Sequence, residues 1–231
     1  LGLNRAVSDE TIRGAAFGPR DGFIRPMNIL RGYADAAQRL GVRFEFGADL
    51  RPGDPGVTYV NAAGAWAGEF CDVPVVPLRR RVACTEPTDA LPAEMPMTIW
   101  AGDGFHLRVR DGRVLLLWPD DPPDDERWMD EVLRRAQARL PVLREVVIDD
   151  GACWSGFYEM SPDRHAILGR HPRMPNVILA NGSSGHGVMH APAIGQLVSE
   201  MIIDGETSID VRALRPSRFA EGDPISGPAL L

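Results

Sequence analysis

The sequence predicts an α/β (α+β) chain in which two mixed helix-and-strand stretches flank a segment of alternating strands and turns. Three observations carry this. Helical periodicity running straight into a strand-like stretch follows Arg25, and a short apolar run near residue 177 leads through glycines into an amphipathic helix. Between residues 73 and 150 the pattern changes to period-two runs broken by turn signals.

Taken in order, Arg25-Pro-Met-Asn-Ile-Leu-Arg-Gly-Tyr-Ala-Asp-Ala-Ala-Gln-Arg-Leu-Gly41 reads as a helix, with Pro26 in the first turn and Gly41 at the stop. Met27, Leu30, Ala34, Ala37 and Leu40 recur at helical spacing and are expected to face the core, and 42–46 follows as a strand. Residues 57–61 form a short apolar strand ending in Ala62-Ala-Gly-Ala-Trp66. Strands are expected at 82–85, 105–110 and 113–118, the last two joined by Asp111-Gly112, a two-residue hairpin signal. The acidic link Pro119-Asp-Asp-Pro-Pro-Asp-Asp-Glu126 reads as a solvated loop. A helix over 126–140 directs Trp128, Val132, Leu133, Ala136 and Leu140 inward. Strands at 153–159, 165–168 and 177–180 precede a helix over 190–203, whose buried face holds Ala193, Ile194, Leu197, Val198, Met201 and Ile202. The tail from Pro216 on, rich in proline and glycine, is expected to fray.

With 231 residues and 44% hydrophobic content, the chain can bury one sizeable core or two modest ones. Its 25 basic residues, all arginine, stand against 32 acidic ones for a formal charge of -7, so it offers no footprint for nucleic acid. No apolar run approaches the roughly 20 residues that span a bilayer, and no charged-then-apolar leader opens the sequence. The expectation is a soluble, cytoplasmic protein. Cys71, Cys84 and Cys153 are widely spaced without a C-x-x-C pair, which fits reduced, packed thiols.

The segment Asn181-Gly-Ser-Ser-Gly-His-Gly-Val-Met-His-Ala-Pro-Ala-Ile-Gly195 is the most informative. A strand, a small-residue turn and a helix start aim several backbone N–H groups at one spot, which suits an anionic or electron-rich ligand group. Close packing of a strand on a helix explains such glycines equally. His186 and His190 stand four apart, but Gly187 occupies the place where a zinc protease carries its glutamate, so no metal is expected. Ser183 and Ser184 do not fall in a G-x-S-x-G frame, which disfavours a hydrolase.

Tyr59-Val-Asn-Ala-Ala-Gly-Ala-Trp66, Gly156-Phe-Tyr-Glu-Met-Ser-Pro-Asp-Arg-His-Ala-Ile-Leu-Gly169 and the segment from Asn181 occur in an order that resembles a known family. It is that of the FAD-dependent amine and amino-acid oxidoreductases of the D-amino-acid oxidase type, with glycine oxidase, sarcosine oxidase and dimethylglycine dehydrogenase. The resemblance covers the family's C-terminal two-thirds and runs from about Asp21 to Phe219. It implies an incomplete FAD-binding Rossmann-like domain plus an antiparallel-sheet substrate domain. The implied divisions are 1–25 as entry from the substrate domain, 26–72 and 151–220 as parts of the FAD domain, 73–150 as the substrate domain, and 221–231 as a tail. The family's opening strand and G-x-G-x-x-G do not occur here. The expectation is a fragment, or an N-terminal half removed or supplied by a second subunit. Residues 48–57 are also shorter than the family's usual strand pair.

By this resemblance Ala62, Ala63, Gly64, Trp66, Gly156, Asp163, Gly182, Ser184, Gly185, His186, Gly187, Val188 and Met189 would contact non-covalent FAD, cysteine being absent from position 156 where covalent members carry it. Tyr158, Arg110 and Met160 would bind substrate, and Tyr158 and His186 would act in catalysis. Bland readings stand beside these: Ala62 to Gly64 as a close helix–strand approach, Tyr158 as a core tyrosine, Asp163 as a turn cap, and Arg79, Arg80, Arg81 and Arg110 as a solvated edge rather than carboxylate clamps. Met189 replaces the lysine of monomeric sarcosine oxidases, which argues against simple sarcosine chemistry. The implied reaction is oxidation of the C–N bond of an amine or amino acid, of the secondary-amine or D-amino-acid class. A hydride would pass to flavin N5, and the electrons onward to oxygen or another acceptor. The alternative is a non-catalytic remnant or subunit that keeps the fold and acts through a protein partner.

Overall fold

The structure, a computed structural model, describes residues 4–8, 12–120 and 124–227. In chain order the elements are α1 (Pro26–Arg39), β1 (Tyr59–Asn61), α2 (Ala67–Phe70), β2 (Val76–Cys84), β3 (Thr98–Ile99), β4 (His106–Arg110), β5 (Arg113–Leu117), α3 (Asp125–Arg139), β6 (Trp154–Met160), β7 (Ile167–His171), β8 (Met174–Asn181) and α4 (Gly187–Ile203). Short 3-10 turns fill several of the connections. The chain divides into two compact units, Leu1–Phe17 with Arg79–Phe157 and Gly18–Leu78 with Tyr158–Leu231. Two of the three divisions fall inside β2 and β6, where an unbroken strand pattern gives no signal of a boundary, and the third follows Phe17; the resemblance implies 72/73, 150/151 and 25/26.

The first unit is built on a sheet of order β3-β4-β5-β2-β6. Asp111 and Gly112 both take positive φ, 52° and 72°, the two-residue turn whose twist matches an antiparallel pair, and β4 and β5 register from His106↔Leu117 to Arg110↔Arg113. Alternation then sends Leu107, Val109, Val114 and Leu116 to one face, where Trp128, Val132 and Ala136 of α3 cover them together with Leu140 and Leu143. Val82, Cys84 and Leu115 face the other way. The Asp124 carboxylate caps α3, accepting from the N–H groups of Glu126 at 2.9 Å and Arg127 at 3.4 Å. Asp124→Ala should therefore lower stability by about 0.5–2 kcal/mol in chemical denaturation. The acidic link is thus partly structural: Asp125 also pairs with Arg79 at 2.7 Å and Arg81 at 2.6 Å, while 121–123 lie outside the described residues.

The second unit centres on a sheet of order β1-β8-β7, with β1 parallel and β7 antiparallel to β8. Both faces of β8 are covered, so its residues are apolar on each. Val177 and Leu179 join Ile167, Ala67, Cys71 and Val73 on one side, whereas Ile178 packs with Leu168 against Leu197 and Val198 of α4 on the other. Two expectations fail within 26–46. Residues 42–46 form no strand and have no ladder partners, and α1 buries no residue, with Met27 at 55%, Leu30 at 60% and the capping Leu40 at 86% exposure. An amphipathic face and a strand need a surface and an edge to pair with, and none of the described residues supplies either to this segment.

Candidate functional site

The parallel strands β1 and β8 end on buried asparagines, Asn61 and Asn181, and ligands of open α/β sheets bind beyond such carboxyl ends. The two side chains tie the following turns together. Asn181 Nδ2 donates to Asn61 Oδ1 at 3.4 Å, and the same oxygen accepts from the Ala63 N–H at 3.1 Å. Asn61 Nδ2 donates to the Ala67 carbonyl at 3.0 Å and to Cys71 Sγ at 3.4 Å. Burial pushes the Cys71 thiol up, so that it stays protonated beside this contact. The turn of Ala62, Ala63 and Gly64 is thereby fixed beside the turn that follows Asn181, with Ala62, Ala63 and Trp66 exposed.

In the second turn Gly182, Ser184 and Gly185 adopt φ of 69°, 50° and 94°. A Cβ on Gly182 would stand 3.0 Å from Ser161 Cβ and 3.1 Å from Ile167 Cγ1, and one on Gly187 would stand 3.3 Å from Ser183 Cβ. Ser184 is buried; its hydroxyl donates to the Gly182 carbonyl at 2.9 Å and accepts from the Ser161 N–H at 3.1 Å. This serine shapes the turn from within. Helix α4 then starts at Gly187, and the N–H groups of Gly187 and Val188, in its first turn, lack an acceptor four residues earlier within the helix. Val188 and Met189 are exposed there, and the His186 and His190 rings stack with centroids 5.8 Å apart. Among the described residues no three histidine, cysteine or acidic side chains group to hold a metal.

Strand β6 reaches the same turns. Met160 bridges Ser183, and alternation places Tyr158, 39% exposed, on the face opposite Glu159. The Glu159 carbonyl accepts from the Ser184 N–H and its Oε1 from the Ser183 N–H, each at 3.2 Å. Its Oε2 is buried with no hydrogen-bond partner and lies 3.9 Å from the position a Cβ would take on Gly64.

Asp163 resolves toward its structural reading. Its side chain is 3% exposed and that of Arg218 is fully buried. Arg218 donates from Nε to Oδ2 at 2.7 Å and from Nη2 to Oδ1 at 2.9 Å, and the N–H groups of Ile225 and His165 donate at 3.0 and 3.2 Å. Burial alone would raise this carboxyl, but the Arg218 hydrogen bonds hold it well below the usual carboxylate range. With both oxygens filled from within the chain, it anchors the segment from Pro216 to Ile225 against the β6–β7 turn. Residues 216–219 accordingly form an ordered 3-10 turn, not the frayed start of a tail.

Of the other sequence-derived candidates, Gly156 and Arg110 belong to the first unit, Arg110 beside the hairpin turn at 3.5 Å from Asp111. Arg79 and Arg81 are held by Asp125 and Arg80 by the Pro119 carbonyl, and Arg81 is buried rather than on a solvated edge. Glu159, Asn61, Asn181 and Arg218 were not singled out as site residues by sequence. The two asparagines did carry a signal, each being the polar residue that closes an apolar run before small residues.

The family model described as FAD dependent oxidoreductase matches residues 3–201. The chain is 28% identical over 233 residues to the bifunctional protein ThiO/ThiG of Synechocystis, covering 91% of this chain and 35% of that protein. It is 25% identical over 226 residues to glycine oxidase of Bacillus subtilis, covering 86% of this chain and 59% of that protein. Among solved structures, L-proline dehydrogenase from P. horikoshii superposes with a TM-score of 0.62 at 28% identity, over 73% of this chain and 48% of that one. The chain thus spans between 35% and 59% of the length of these proteins. With a match over most of its length and the glycine turns at the ends of β1 and β8, the chain belongs to the family of FAD-dependent oxidoreductases of the D-amino-acid oxidase type.

Proposed function

We propose that the protein takes part in FAD-dependent oxidation of the C–N bond of an amine or amino acid, of the secondary-amine or D-amino-acid class, with FAD held non-covalently. The observation that carries this is the convergence of two turns at the carboxyl ends of parallel β1 and β8, with three segments meeting there. The residues fit the group. The backbone is bare of Cβ at Gly64, Gly182 and Gly187, the first-turn N–H groups of α4 are donors, and a buried carboxylate oxygen has acceptor capacity to spare.

When bound, FAD supplies the two-electron acceptor for conversion of an amine to an imine, which water then hydrolyses. Gly187 and Val188 would present backbone N–H groups to an electron-rich edge of the ligand, preorganised because Ser184 and Asn181 fix the turn that precedes them. Tyr158 would donate its hydroxyl to a substrate carboxylate and orient the reacting carbon. Electrons would leave for oxygen or another acceptor.

Tyr158→Phe keeps the ring and deletes the donor. FAD content should be unchanged, while substrate affinity falls by about 1.5–3 kcal/mol if the partner is a carboxylate, or about 0.5–1.5 kcal/mol if it is neutral. Anaerobic stopped-flow reduction with N-methyl amino acids, D-amino acids and proline measures this and ranks the substrates. Equal affinities for the variant and the parent across the panel would reduce Tyr158 to scaffold.

A further inference from the structure

Glu159 is placed by two contacts that leave half of its carboxylate over. Its backbone carbonyl receives the Ser184 N–H and its Oε1 the Ser183 N–H, which locks the side chain against the turn after β8. Oε2 then points toward the other turn, 3.9 Å from the Cβ position of Gly64, shut off from solvent and without a donor. A buried carboxylate oxygen without a donor loses its hydration and regains nothing, so such an atom calls for one. No side-chain donor projects from the Ala62-Ala63-Gly64 turn. A ligand seated against the two turns is a source of such a donor.

We propose that Glu159 Oε2 accepts a hydrogen bond from a hydroxyl of the polyol chain of FAD, making Glu159 a cofactor-binding residue. This rests on the FAD reading given above. The polyol is favoured over the ring on electrostatic grounds. The ring gains negative charge on reduction, and an anionic carboxylate against it would oppose that change, whereas a hydroxyl is a neutral donor in both redox states.

The test compares FAD and lumiflavin, which keeps the ring and lacks the polyol, by fluorescence titration of the purified full chain. Glu159→Leu should weaken FAD by about tenfold to a hundredfold, and Glu159→Gln, which leaves only a neutral hydrogen bond, by about fivefold to tenfold. Lumiflavin affinity should not move in Glu159→Gln, which keeps an acceptor for the Ser183 N–H. FAD affinity unchanged in Glu159→Gln, or lumiflavin weakened as much as FAD in that variant, overturns the assignment; if Glu159→Leu does not fold, Glu159→Gln decides alone. A parent chain that binds neither flavin overturns the FAD reading itself and this assignment with it.

Discussion

Arg218→Met is expected to cost about 3–5 kcal/mol of stability, the loss typical when one member of a buried ion pair is left without the other. The guanidinium is fully buried, donates twice to Asp163 and also reaches the carbonyls of Leu214 at 2.7 Å and His165 at 3.1 Å. Methionine fills much of the space and satisfies none of these acceptors. Denaturant unfolding of the second unit measures the loss, and Asp163→Asn in the Arg218→Met background should restore part of it, because the uncompensated charge is then gone. A pH dependence follows with a fixed sign. The folded-state carboxyl is held below its unfolded value of about 3.9, so its contribution is fully present above that pH and is lost as pH falls further. The parent should therefore lose stability on acidification below about pH 4 more steeply than Asp163→Asn.

Gly182→Val should be nearly as damaging, and its damage should fall on cofactor binding. At φ of 69° a β-branched residue pays about 1–2 kcal/mol for the left-handed backbone. Its Cβ would also press into Ser161 and Ile167 at 3.0 and 3.1 Å, where overpacking costs about 1–3 kcal/mol. Relief requires the turn to move, and the turn carries Ser183, Ser184 and the start of α4. FAD retention on gel filtration should drop sharply. Gly187→Val, with an ordinary backbone and a 3.3 Å contact to Ser183, should show a milder form of the same defect. Full FAD retention in the Gly182 variant would mean that the turn does not touch the cofactor.

Much of this architecture was legible because local chemistry and tertiary structure agree. Asp111-Gly112 adopts the turn its sequence prefers, and the period-two runs on either side register across it. The apolar run at 177–180 lies within a strand covered on both faces. Strand β2 was harder. It starts at Val76, six residues before the sequence signal, since Pro77 and three successive arginines mask the start of a strand, the arginines being held by Asp125 and the Pro119 carbonyl. The face of α1 was read correctly as apolar, yet burial depends on a partner surface that no residue of the helix encodes. The site shows the same division. The small-residue turns are visible in the sequence because a backbone requirement excludes most side chains. Contacts across long separations, such as Asp163 with Arg218 or Glu159 with Ser183, leave no local pattern.

The central claim is that the two turns after β1 and β8 hold FAD. Titrating the purified chain with FAD and following flavin fluorescence, then visible absorbance of the protein fraction after gel filtration, tests it most directly. The expected result is saturable quenching with about one FAD retained per chain, reduced by Gly182→Val. A protein fraction that stays colourless in excess FAD, with the parent and the Gly182 variant indistinguishable, would contradict it.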